Sequence, residues 1–243
     1  VPGLSAEDVL RLADAGPGLR GPERALLAIA AAEPERSLEE LRTLTVGECD
    51  RRLVRLHEEL FGPELEGFAE CPHCGGGVEV TITARELLEG AAPPSVQEPE
   101  TARWQDVTVT FRLPTVGDLA DVSTRARDVE SARAAILDLC VLEVSGGARR
   151  SALPEPLVEE LTERMAAGDP AAEVNLALAC PACAERWSVV LDAGAFLWRK
   201  LDALARRLAE EVDALARAYG WSEREILSLP SARRTRYLEL SAR

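Results

Sequence analysis

Six cysteines are present, and four of them fall in two copies of one short pattern, Cys71-Pro72-His73-Cys74 and Cys180-Pro181-Ala182-Cys183. A Cys-x-x-Cys pair on a tight turn aims two thiolates at one metal ion, and tetrahedral zinc takes four such ligands. Each pair is half a site, so the spacing predicts that Cys71, Cys74, Cys180 and Cys183 meet in space around one structural Zn2+ per chain. A closed four-thiolate set leaves no open position for water or substrate, which makes the expected role architectural. Cys49 and Cys140 lie within apolar helical patterns and read as buried small hydrophobes. His73, between two cysteines, is expected to point outward, and His57, on a charged helix, to be solvated.

Other chemistry is open to the same residues. Cys-Pro-His-Cys is also a redox-active sequence of thioredoxin-like oxidoreductases, and a disulfide is a further alternative. In the redox case a helix N-terminus follows the motif and lowers the nucleophile's pKa. Here Gly75-Gly76-Gly77 and a β-like run follow Cys74, and a lone redox motif gives no role to a second pair in matching context.

That context extends beyond the cysteines. At a constant offset of 109, Val78-Glu79-Val80-Thr81-Ile82 aligns with Trp187-Ser188-Val189-Val190-Leu191, and Leu87-Leu88 with Phe196-Leu197. Each copy reads strand, knuckle, strand, helix, with alternating apolar residues on the second strand. This is the plan of a zinc ribbon, two hairpins clamped at their tips. Residues 75 to 179 separate the pairs, far more than the roughly 15–20 residues of an ordinary ribbon, so the interval must be an insertion with its own structure.

The elements that position these pieces give an α+β, mostly helical chain: a split zinc-ribbon-like hairpin pair with a helical insertion, flanked by N- and C-terminal helices. The regions are 1–62 (helical), 63–90 (first knuckle hairpin and helix), 91–172 (inserted α+β region), 173–192 (second knuckle hairpin) and 193–243 (long helix and C-terminal helical pair). Capping boxes predict helix starts at Ser5/Asp8, Ser37/Glu40, Thr45/Glu48, Thr83/Glu86, Thr115/Asp118 and Ser222/Glu225. Gly62-Pro63 ends the helix from Thr45, on which Val46, Cys49, Leu53, Leu56 and Leu60 should face the core. Residues 90–100 read as a linker, Val107 to Leu113 as a half-buried strand, and about Glu130 to Glu143 and Pro154 to Ala167 as helices. From Ala193 to Tyr219 runs a long amphipathic helix with Phe196, Leu197, Leu201, Leu204, Leu208, Val212 and Leu215 on its apolar side.

Composition limits the function. The apolar fraction of 47% can fill a core, no apolar run approaches a membrane span, and no signal peptide is visible at Val1. Paired cysteines read as metal ligands suit a reducing cytoplasm. A net charge of −14 opposes a nucleic-acid-binding regulator, the usual work of zinc ribbons, because phosphate contacts require a basic surface. Only the C-terminal stretch is locally basic, at Arg233, Arg234, Arg236 and Arg243, and a solvated helix face accounts for it. No phosphate loop, dinucleotide fingerprint, nucleophile elbow or other catalytic constellation is present, so the chain reads as a non-enzyme.

The order of the pieces resembles the T4-phage-type baseplate proteins, or baseplate hub assembly chaperones, of contractile phage tails and bacterial contractile injection systems. The matching residues include Leu44-Thr45-Val46-Gly47-Glu48-Cys49-Asp50-Arg51-Arg52-Leu53, Leu60-Phe61-Gly62-Pro63-Glu64-Leu65-Glu66-Gly67, Cys71-Pro72-His73-Cys74-Gly75, Phe111-Arg112-Leu113-Pro114-Thr115 and Leu139-Cys140-Val141-Leu142-Glu143. The strongest match is Ala218-Tyr219-Gly220-Trp221-Ser222-Glu223, with Ile226-Leu227, Arg233-Arg234 and Tyr237-Leu238. The resemblance implies a non-enzymatic component or assembly chaperone whose partners are hub, spike or wedge proteins of a phage-tail-like particle. Many phage members lack the paired cysteines, so the family likeness does not establish the metal site. Within this reading Trp221, Ile226, Leu229, Tyr237 and Leu240 are the expected partner-binding residues, because Trp and Tyr commonly anchor interfaces. The alternative is that Trp221 and Tyr237 pack on the long helix.

Overall fold

A computed structural model describes residues 3–90, 98–147, 149 and 152–241. It is a mostly helical α+β fold with small antiparallel sheets. The N-terminal helices are α1 (Ala6–Ala15), α2 (Gly21–Ala32), α3 (Leu38–Arg42) and α4 (Val46–Phe61). Ser5 with Asp8 and Ser37 with Glu40 form reciprocal caps that satisfy the first N–H groups of α1 and α3. At Thr45 only half of the expected box forms. The Glu48 N–H donates to Thr45 Oγ1 at 3.3 Å, while the Glu48 carboxylate takes Arg52 at 3.0 Å instead.

The first hairpin pairs β1 (Glu64–Glu70) with β2 (Gly77–Thr83) and runs into α5 (Ala84–Gly90). The inserted region follows as a three-stranded antiparallel sheet of β3 (Glu100–Trp104), β4 (Val107–Phe111) and β5 (Val141–Ser145), with α6 (Val116–Ser123) and α7 (Val129–Cys140) between the last two strands and α8 (Glu155–Gly168) after them. A 3-10 turn at Pro170–Ala172 leads to the second hairpin, β6 (Asn175–Ala179) with β7 (Arg186–Val190). The chain ends in α9 (Ala193–Tyr219), α10 (Glu223–Leu227) and α11 (Ser231–Ser241).

Two apolar cores form among the described residues. The main one joins α1, α2 and α4 to α9 through Leu12, Leu26, Ile29, Leu53, Leu197 and Leu201, and takes in the hairpin roots at Leu65 and Leu191. The other packs Val109, Phe111, Cys140 and Val141 of the inserted region against Leu157 and Leu161 of α8. The inserted region is also tied to the N-terminal helices. Val116 and Ala120 of α6 belong to the main core, the Val116 N–H donates to the Leu44 carbonyl at 2.9 Å, and Arg42 meets Asp121 at 2.8 Å.

Several sequence expectations need correction. The helix expected over Glu130 to Glu143 stops at Cys140, and Val141–Ser145 pairs with β4. Its β-branched Val141 and Val144 favour a strand, and an apolar run this short has no decisive period. Strand β3 overlaps the stretch read as linker, most of which (91–97) lies outside the described residues. Its turn into β4 uses Gln105 at φ +48°, a position where no glycine announces a hairpin. His57 is buried rather than solvated, packed 5.4 Å from the Phe61 ring. Burial holds its pKa below the usual imidazole range, with the Lys200 charge adding to the effect.

Candidate metal centre

Each knuckle is built by its hairpin's own backbone. In the first, the Cys71 N–H donates to the Gly76 carbonyl at 2.9 Å and the Gly75 N–H returns to the Cys71 carbonyl at 2.9 Å. In the second, Cys180 donates to Glu185 at 2.8 Å and Ala184 to the Cys180 carbonyl at 2.9 Å. The turn requires a left-handed residue just after the second cysteine, supplied by Gly75 at φ +69° and by Ala184 at φ +60°. The strand registers repeat as well, since Ala69 faces Val78 and Leu178 faces Trp187. The two copies therefore share one backbone plan at the sequence offset of 109.

The tips converge. Cys71 Sγ lies 3.6 Å from Cys183 Sγ and Cys74 Sγ lies 3.6 Å from Cys180 Sγ, so the close pairs run between the hairpins. All four sulfurs lie within 4.8 Å of one another. A tetrahedral ion with metal–sulfur bonds of about 2.3 Å places its ligands about 3.8 Å apart, so these four cysteines can hold a metal ion. The separations are far longer than a disulfide bond of about 2.05 Å, and all six cysteines are free thiols. Cys71 and Cys180 are buried while Cys74 and Cys183 are exposed. Gly76 keeps the cradle open, because a β-carbon there would stand 3.3 Å from the Cys74 sulfur.

The electrostatics suit a cation. The N–H groups of Cys183 and Ala182 point at the Cys180 sulfur and bring its thiol down to about 7. At Cys183 the N–H of Glu185 pulls the same way. Burial and the crowding of the Cys74, Cys71 and Cys180 sulfurs outweigh it, raising this thiol to about 12. Bare thiols at this spacing resist ionising together, and a cation among them removes the conflict. After Cys74 the chain enters strand β2, so no helix N-terminus is available to activate a thiol as thioredoxin-like redox sites require. Cys49 and Cys140 are buried elsewhere, with burial pushing the Cys49 thiol well up and the Cys140 thiol to about 12. His73 is exposed, beside the sulfurs but outside their cluster.

The expected partner-binding residues divide. Trp221 stacks on Tyr219 with ring centroids 4.7 Å apart, and Tyr237 sits edge-on to Trp221 at 4.9 Å. Trp221 and Tyr237 are half-buried, and Leu240 is 47% exposed. Ile226 is fully buried, so it packs α10 onto the chain's own interior and offers nothing to a partner, and Leu229 is half-buried. Arg234, read as part of a solvated basic face, is also buried. It donates to Glu211 of α9 at 2.8 Å and to the Leu229 carbonyl at 2.7 Å, locking α11 onto the long helix. The Glu211 partner, 23 residues upstream, carried no sequence signal that could have revealed this.

Comparison with protein-family models, curated proteins and solved structures finds no match to this chain. Among the described residues no helix is long and apolar enough to cross a membrane.

Proposed function

We propose that this protein is a non-enzymatic component or assembly chaperone of the baseplate hub of a contractile, phage-tail-like particle, held rigid by one structural zinc ion. The observation that carries the baseplate reading is the C-terminal block from Ala218 to Leu238, whose Tyr219, Trp221 and Tyr237 form one aromatic stack at the surface. Four cysteine donors at tetrahedral spacing support zinc, a borderline-soft cation without geometric demands of its own. Bound there, the ion fuses hairpins that the inserted region separates in sequence, so a surface assembled from distant segments keeps its shape. The partners are hub, spike or wedge proteins, met through the aromatic stack and Leu240.

Deleting the gene should leave sheath and tube proteins expressed while intact particles become scarce. Co-purification with the products of neighbouring genes should be lost in Trp221→Ala. Normal numbers of active particles from the deletion strain would refute the proposal.

A further inference from the structure

The two hairpins share a backbone plan, a register and a cluster of cysteines that can hold a metal ion, yet their outward faces differ. On the first hairpin the outward residues include Glu66, Phe68 and Glu70 of β1 and Glu79 of β2, with Phe68 directly across from Glu79. The equivalents on the second hairpin are Asn175, Ala177, Ala179 and Ser188, with Ala177 across from Ser188. Neither the metal nor the fold therefore calls for an aromatic ring or for carboxylates at these positions. Phe68 is 63% exposed, the only phenylalanine among the described residues left in solvent to this extent. Its ring lies across Gly77, where a β-carbon would stand 2.3 Å from Cζ, so the glycine leaves the ring room to lie on the strand. On the opposite side of β1, Phe196 of α9 fills the space at Gly67, which backs the hairpin against the body of the protein. Among the described residues the only cation paired with these outward carboxylates is Lys200, 3.5 Å from Glu66.

We propose that this outward face of the first hairpin docks a basic segment of a partner protein, one that lays an apolar side chain on Phe68 and sets Arg or Lys against Glu66, Glu70 and Glu79. An aromatic ring loses little conformational freedom on binding, and aromatics commonly anchor interfaces. The carboxylates select the sign of the partner and speed its approach. A second copy of this chain fits poorly, because at −14 it carries the same sign as the face. The proposal rests on the hairpin alone, so its failure would leave the baseplate reading standing.

The test uses the full metal-loaded chain and fluorescein-labelled peptides in which Leu alternates with Arg, Ser or Glu. The Arg–Leu peptide should bind with an affinity that falls as salt rises, and the Glu–Leu peptide should not bind. Phe68→Ala and the double change Glu70→Gln with Glu79→Gln should each weaken binding about tenfold or more, while Ser188→Ala on the other hairpin leaves it unchanged. Unfolding midpoints of all these variants should match the parent. Three outcomes would overturn the proposal: no preference for the basic peptide, equal affinity in Phe68→Ala, or self-association of the parent that Phe68→Ala abolishes. The last would assign the face to a second copy.

Discussion

Asp50 offers the sharpest energetic prediction. It sits on α4 where both hairpin modules root, beside a small cavity lined by Val54, Leu87, Leu88, Val174 and Leu191. Burial pushes its carboxyl up to about 7, and the like charges of Asp192 and Asp169 add to the effect. The folded chain therefore keeps a proton that the unfolded chain gives up near pH 4. Between those values the native state binds more protons than the unfolded state, so this group makes stability fall as pH rises. One pKa unit corresponds to about 1.36 kcal/mol, which sets a ceiling of about 4 kcal/mol above pH 7, and water entry reduces the realised cost to about 1–3 kcal/mol. Asp50→Asn removes the charge while keeping the shape. His57, whose folded pKa is depressed, acts with the opposite sign and destabilises the folded state as pH falls below its unfolded value. It is the same in both proteins and cancels in their difference, as does the metal contribution. Urea unfolding of zinc-saturated parent and variant at pH 5.5 and pH 8.0 should show the variant more stable at the higher pH, with its advantage shrinking by about 1–2 kcal/mol at the lower. An advantage independent of pH, or a variant less stable at both values, would refute the reasoning.

Further perturbations follow from particular contacts. Gly75→Ala and Ala184→Gly exchange the residues at equivalent left-handed positions, so the first should lower and the second should maintain or raise thermal stability, each by about 1 kcal/mol or less. Asp169→Ala removes the carboxylate that accepts the buried Gly47 N–H at the start of α4 at 2.8 Å, and denaturant unfolding should register a loss of about 1–3 kcal/mol. Trp221→Ala deletes two ring contacts worth about 0.5–1.5 kcal/mol each. Calorimetry showing a loss of that size with co-purification intact would assign the stack to packing, whereas a small loss with co-purification abolished would assign it to an interface.

Much of the fold is legible in the sequence because its signals are local. Caps, Gly-Pro stops and apolar spacing place α4 and α9 at the bounds the structure gives, and the offset of 109 marks the repeated hairpins. The four-cysteine cluster is legible for the same reason, since two knuckles each announce half of it. What stays hidden depends on contacts between distant segments. Nothing local distinguishes a solvated His57 from one closed in beneath the fold, or a free Arg234 from one claimed by Glu211. Ile226 reads as an exposed anchor because nothing in its own short helix signals the burial that the fold imposes. The end of α7 is hidden because Val141 and Val144 suit either period until β4 supplies a partner.

The central claim is that four sulfurs from two distant hairpins bind one ion. Elemental analysis of freshly purified protein, set beside Cys71→Ser and Cys183→Ser, tests it most directly. The account predicts about one zinc per chain in the parent, with marked loss in each single variant because both hairpins contribute ligands. A parent without zinc, or a full complement retained when Cys183 is replaced, would contradict it.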